Sequence, residues 1–195
     1  MNAALPTPRG NLMPNELTLE QRLRTAHVKR WQIVRVAREQ TVAEHLYLVR
    51  VLTNEFTTAL NFSEEDSVMA QQWALEHDVP EVVTGDLNSP IKAALREAVP
   101  HDDPIRRIEL SLSDSYAGLY EYVKNVAPHV RALVKIADLV EACWFLSIEG
   151  MGPHAAEVQR GLWRDARSAI DAAEQEFPQF DWDAIARIAR RLTGG

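Results

Sequence analysis

The sequence predicts an all-α domain, and three observations point to it. Apolar residues recur at helical spacing along Val42, Leu46, Val49, Phe56 and Leu60. Helix starts are marked by small polar residues set ahead of acids or prolines, and strand-like alternation is scarce. Seven or eight helices fit within 195 residues, of which 46% are hydrophobic, enough for one compact core without cross-links.

Residues 1–17 carry Pro6, Pro8, Gly10 and Pro14 among short polar residues and read as a flexible or surface-hugging arm without chemistry. The domain proper is expected over 18–195, beginning with a helix at 18–30. Thr41 with Glu44, and Ser63 with Asp66, have the Ser/Thr-x-x-acid form that satisfies free N–H groups in a first turn, so helices follow at 42–61 and 64–78. Ser89-Pro90, Asp103-Pro104 and Gly152-Pro153 give starts in which a cap-compatible residue precedes a proline whose missing N–H costs nothing there. They predict helices at 90–98, 104–124 and 153–176. Helices at 128–149 and 182–192 complete the set, with stops near Gly85, Pro100 and Gly150. Short linkers place consecutive helices against one another.

Composition excludes several classes. A net charge of −7 disfavours a nucleic-acid polymer, which needs many cations on one face, but leaves room for a small anion held by a few. The longest apolar stretch, 132–148, is interrupted by Lys135, Asp138 and Glu141, so no membrane partner is expected. Cys143 is the one cysteine, lies among apolar residues and fits a reducing cytoplasm.

The stretch WALEHDVPEVVTGD concentrates the chemistry. His77 and Asp78 close an apolar helix just before Pro80 and emerge at its end. An isolated dipeptide of this kind is ordinarily a polar helix terminus, and a second one, His101-Asp102 between Pro100 and Pro104, reads as loop and cap. The first pair has company. His45 lies one turn inside the helix capped by Thr41, and Asp138 sits among apolar helical neighbours Val134, Ala142 and Phe145, where an unpaired carboxylate would be costly. Two imidazoles and two carboxylates make a mixed nitrogen and oxygen site suited to a divalent transition metal, with a structural ion pair of Asp138 and Lys135 as the alternative.

This ordered set resembles the H…HD…D signature of the HD-domain phosphohydrolases, and the likeness covers most of the helical chain. Arg30-Trp31, the TVAEH leading to His45, and HDVPEVVTGDLNSPIK at His77 to Lys92 are similar to bacterial 5′-deoxynucleotidases and to phage enzymes that hydrolyse dATP to deoxyadenosine and triphosphate. The resemblance implies a single HD-domain helical bundle with His45, His77, Asp78 and Asp138 holding one divalent transition metal, zinc, cobalt or manganese. Such an ion activates water and neutralises phosphate charge. It further implies hydrolysis of a deoxynucleotide at the α-phosphorus, either a dNMP losing phosphate or a dNTP losing triphosphate. Glu81, one turn after His77, takes the general acid–base role, and Asp86 contacts a sugar hydroxyl or protonates the leaving oxygen. Arg30 and Lys92 hold phosphate, the arginine by its planar fork and the lysine as a point charge. Trp31 and Ile33 lie near the sugar or base, where close packing would exclude a 2′-hydroxyl; read without the resemblance, they are core residues of an amphipathic first helix. The partner is then a small deoxynucleotide, and the chain a homo-oligomer. A regulatory module that kept the pocket and lost turnover is the alternative, disfavoured by the complete ligand set; a helical interaction scaffold leaves Asp138 unexplained.

Overall fold

A central helix organises the bundle because its sequence is apolar on almost every face. In the computed structural model, which describes residues 15–194, this is α8, Pro128–Glu149, whose buried residues run from Val130 to Leu146 and include Leu133, Ile136, Val140 and Phe145. A helix that is hydrophobic all round must be surrounded. The others are α1 (Leu19–Leu23), α2 (Val42–Ala59), α3 (Glu64–Glu76), α4 (Glu81–Thr84), α5 (Ser89–Ala98), α6 (Pro104–Ser111), α7 (Asp114–Asn125), α9 (Gly152–Glu176) and α10 (Trp182–Thr193). Helices α2, α3, α7, α9 and α10 all pack on α8. Val49, Phe56, Trp73, Tyr120, Ile170, Trp182 and Ile185 fill the space between them. Among the described residues, strand pairing is confined to two isolated bridges, Lys29 with Thr41 and Val36 with Gly150.

The expected caps at Thr41, Ser63 and Asp103 are present, each side chain accepting from the backbone N–H three residues on. Others shift by a residue. Asn88 caps α5, accepting from the Ile91 N–H, which leaves Ser89 as the first helical residue. For α9 the flanking residue is Met151, with Gly152 already helical.

Three larger departures bear on function. The helix expected at 18–30 ends at Leu23 and relaxes through a single tight turn, Arg24–Ala26, so Arg30, Trp31 and Ile33 lie on an irregular segment rather than on a first helix. That segment folds back on the start of α2, with the Arg30 N–H donating to the Gln40 carbonyl at 3.0 Å and Trp31 in a left-handed conformation, φ 64°. The helix expected at 104–124 breaks at Ser113, whose extended backbone lets its hydroxyl accept from the Tyr116 N–H; local capping outcompetes helix continuation. Helix α4 was not expected at all.

Of the arm at 1–17, residues 1–14 lie outside the described residues. The remainder hugs the surface. The Asn15 N–H donates to Asp114 at 3.0 Å, and the Glu16 carboxylate accepts from the Ser113 and Ser115 hydroxyls.

Candidate active site

Three helix segments deliver the predicted ligands to one point. His45 is carried into the interior one turn after the Thr41 cap and is fully buried. His77 ends α3, where the chain continues as a tight coil through Pro80, the Glu81 N–H donating to the Asp78 carbonyl at 3.1 Å. Asp138 faces them from the middle of α8. One donor atom from each of His45, His77 and Asp138 lies within 4.8 Å of the others. His45 Nε2 is 3.3 Å from Asp138 Oδ1 and 3.5 Å from Asp78 Oδ2, and His77 Nε2 is 3.6 Å from the same Asp78 oxygen.

These separations fit a shared cation. Donors bonded at about 2.0–2.2 Å in a tetrahedron stand roughly 3.3–3.6 Å apart. The ring chemistry agrees. His77 Nδ1 donates to the Ala74 carbonyl at 2.9 Å and His45 Nδ1 to Glu141 Oε2 at 2.6 Å, leaving both Nε2 lone pairs directed at the cluster. Both Nε2 atoms are buried and lack a hydrogen-bond partner, an arrangement that a native interior tolerates only for a reason. Lys135 does reach Asp138, at 2.8 Å, but through Oδ2, so the ion pair and the cluster use different oxygens.

The electrostatics ask for positive charge at this point. Burial and the nearby Arg30 oppose positive charge on His45, yet the adjacent carboxylates of Asp138, Asp78 and Glu141 outweigh them and hold its pKa up at about 10, so the position favours a cation, whether a proton or a metal ion. Burial also pushes Asp78 and Asp138 upward, but the imidazoles, and Lys135 for Asp138, keep both carboxylates well below their usual range. His77 is lowered by burial. Ionised carboxylates around imidazoles are what a divalent ion requires.

Beside the cluster lies a second group with opposite character. Glu81, nearly fully buried, receives Lys92 Nζ on Oε1 at 3.3 Å while Oε2 has no partner. Burial, with Asp78 and Asp86 close by, raises its pKa to about 9. Gly85, at φ 71° and ψ 164°, turns the chain sharply after α4 in a conformation costly for other residues, and so delivers Asp86 to the pocket. Asp86 is likewise raised by burial and sits 3.9 Å from Arg30.

Arg30 is mostly buried, with Nη1 3.6 Å from Glu141 and no hydrogen bond to that atom. Trp31 stacks on Phe145 at 5.8 Å and donates its indole N–H to Gln40 at 2.8 Å. Arg30, Lys92, Glu81 and Asp86 are therefore gathered around the four predicted ligands. Ile33 is not: it is 51% exposed, neither core nor packed on the cluster.

Three buried neighbours of the site escaped sequence reasoning. Glu141 and Gln40 are both fully buried and joined at 2.6 Å behind His45. Glu141 was readable only as an acid interrupting an apolar helix one turn beyond Asp138. Tyr116 is a third, donating to the His77 carbonyl at 3.1 Å while accepting from Arg106.

Comparisons with known proteins converge on one group. Residues 19–149 match the family described as 5′-deoxynucleotidase YfbR-like. A dATP triphosphohydrolase of Acinetobacter phage SH-Ab 15497 is 31% identical over 185 residues, spanning 87% of this chain and 87% of the relative. One from Cyanophage S-2L is 31% identical over 169 residues, spanning 84% and 91%. Among solved structures, the Cyanophage S-2L HD phosphohydrolase (DatZ), bound to dA and one catalytic Zn2+ ion, superposes with a TM-score of 0.79 at 28% identity, covering 91% of this chain and 97% of that one.

Proposed function

Because this chain belongs to the YfbR-like family of HD phosphohydrolases, we propose that it hydrolyses dATP at the α-phosphorus, releasing deoxyadenosine and triphosphate. The observation that carries this reading is the pair of partnerless, buried imidazole nitrogens of His45 and His77 facing Asp78 and Asp138. These four residues would hold one divalent ion, zinc being the one bound by the solved relative. When bound, that ion lowers the pKa of a coordinated water and neutralises phosphate charge.

The remaining residues supply the rest. Arg30, kept cationic beneath the surface by Glu141 and Asp86, presents an unused Nη1 to a phosphate oxygen. Lys92 adds a point charge beside Glu81. Water attacks phosphorus, the bond from phosphorus to the 5′-oxygen breaks, and that oxygen must gain a proton as the water loses one. Glu81 moves the proton: burial raises its affinity for one, so its free Oε2 takes the proton that the water loses and returns it to the leaving 5′-oxygen. Asp86, beside Arg30, contacts the sugar hydroxyl or protonates the leaving oxygen. Trp31 bounds the sugar side, and Ile33 is assigned there on the family likeness alone.

The chain is proposed to act in the cytoplasm as a homo-oligomer. No helix among the described residues is long and apolar enough to cross a membrane. Helix α5 supports assembly, since Ile91 on it and Val99 just past its end lie exposed and none of its residues is buried.

Zinc-reconstituted protein, freed of other metals by chelation, is to be incubated with dATP, dAMP and ATP and the products separated. Triphosphate from dATP is the expected product. Phosphate from dAMP alone would instead make the chain a monophosphatase, and the absence of any product would leave only a nucleotide-binding module.

A further inference from the structure

Glu141 and Gln40 have no task in that reaction, although each is fully buried and the first is a carboxylate in the middle of the central helix. Such a group persists only when its oxygens are fully engaged. Glu141 Oε2 accepts from His45 Nδ1 at 2.6 Å and lies 3.6 Å from Arg30 Nη1. Oε1 accepts from Gln40 Nε2 at 2.6 Å, and Gln40 Oε1 in turn accepts from the Trp31 indole N–H at 2.8 Å. A continuous buried chain therefore runs from a ligand histidine to Trp31, whose left-handed backbone conformation requires support from its surroundings.

Donor and acceptor counting makes the identity of residue 141 specific. His45 Nδ1–H and a Gln40 amide N–H both arrive as donors, so the side chain between them must accept on both arms. A carboxylate does; an amide of the same size accepts on only one. Arg30 then finds its counter-charge on the oxygen that fixes the imidazole.

We infer that Glu141 is a positioning residue that sets the metal ligand His45 and the substrate-facing pair Arg30-Trp31 from a single buried carboxylate, with Gln40 as the link between them. This rests on the proposed metal-dependent reaction. It adds a mechanical connection between the two ends of the site, so that a defect at residue 141 is felt at both and a defect at residue 40 at only one.

Three variants test it, read by zinc affinity in competition with a chelating dye and by deoxyadenosine binding to the protein. Glu141→Gln leaves one donor without an acceptor and should weaken zinc about 10–100-fold, the usual cost of losing a partner behind a metal ligand. The double variant Gln40→Glu with Glu141→Gln restores an acceptor for every donor and should recover zinc affinity to within about threefold of the parent. Gln40→Met should leave zinc within about threefold while weakening deoxyadenosine several-fold. Zinc affinity within about twofold of the parent in Glu141→Gln overturns the inference, as does a double variant no better than the single one. If Glu141→Gln does not fold, the double variant and Gln40→Met still decide: unchanged deoxyadenosine binding in Gln40→Met sinks the link. A parent protein that retains zinc and releases triphosphate while all three variants behave alike would remove this inference and leave the reaction standing; a parent that binds no divalent ion would remove both.

Discussion

The chain carries the same dipeptide twice, and the two copies have different fates. His77-Asp78 ends α3 against the bundle interior, where His77 shares space with His45, Asp78 and Asp138 and its Nε2 is buried without a partner. His101-Asp102 lies on a turn between α5 and α6, where His101 is exposed and Asp102 pairs with Arg107 at 3.0 Å in solvent. The residues are identical, so the difference comes from what surrounds them. Burial strips water from His77 Nε2, strengthens the charge interactions around it and leaves a lone pair suited to a cation. The second pair keeps its water and has no such demand.

Removing a predicted ligand should separate the two pairs most sharply. His77→Ala or Asp138→Ala should leave no zinc after gel filtration, with turnover at background, whereas His101→Ala should match the parent in both. Metal analysis and triphosphate release decide it; zinc retained by Asp138→Ala would place the ion elsewhere. Next in size is the proton carrier. Glu81→Gln should keep zinc and lose about 10²–10⁴-fold in kcat, the range general acid–base catalysis supplies.

The same glutamate gives a pH test of burial itself. In the metal-free fold its pKa is raised from an ordinary 4.5 to about 9, so between those values the folded state holds a proton that the unfolded chain has released. Stability therefore falls as pH rises through that window, and the contribution is complete only below the unfolded value. Thermal melts of metal-free parent and Glu81→Gln should thus differ in slope, the parent losing more Tm between about pH 5 and 9. Parallel curves would mean that Glu81 is ionised in the fold and not the proton store proposed for it.

Much of this was legible along the chain because the signals are local. Caps at Thr41, Ser63 and Asp103 depend on residues three apart, and the apolar surroundings of Asp138 follow from helical periodicity within one segment. Order and spacing singled out His45, His77, Asp78 and Asp138, which the fold brings to one point. What escaped depends on contacts between distant segments. Arg30 and Trp31 leave the first helix because Gln40 and Glu141 draw them inward, partners 10 and 111 residues from Arg30. Glu141 itself looks like any acid in a helix until His45, 96 residues away, is seen to donate to it. The break at Ser113 is local in mechanism but is reinforced by Glu16, from the far end of the sequence. Periodicity reports which face of a helix is buried; it does not report what a buried polar atom will meet.

The exposed pair, His101-Asp102, should respond least. Asp102→Ala removes an ion pair whose side chains are 37% and 72% exposed, the setting in which such pairs contribute about 0–1 kcal/mol. Salt screens it further. The melting temperature should move by no more than a few degrees at low ionic strength and not measurably at high salt, with zinc content and kcat equal to the parent. The value of so modest a variant is that it holds sequence constant while changing place. A residue deleted from the first pair, as in His77→Ala, should abolish function and one deleted from the second should do nothing, a contrast that isolates the convergence of His45, His77, Asp78 and Asp138 as the cause. Loss of metal or rate in Asp102→Ala would mean that the α5–α6 turn reaches the site, and that exposure is not what separates the two copies.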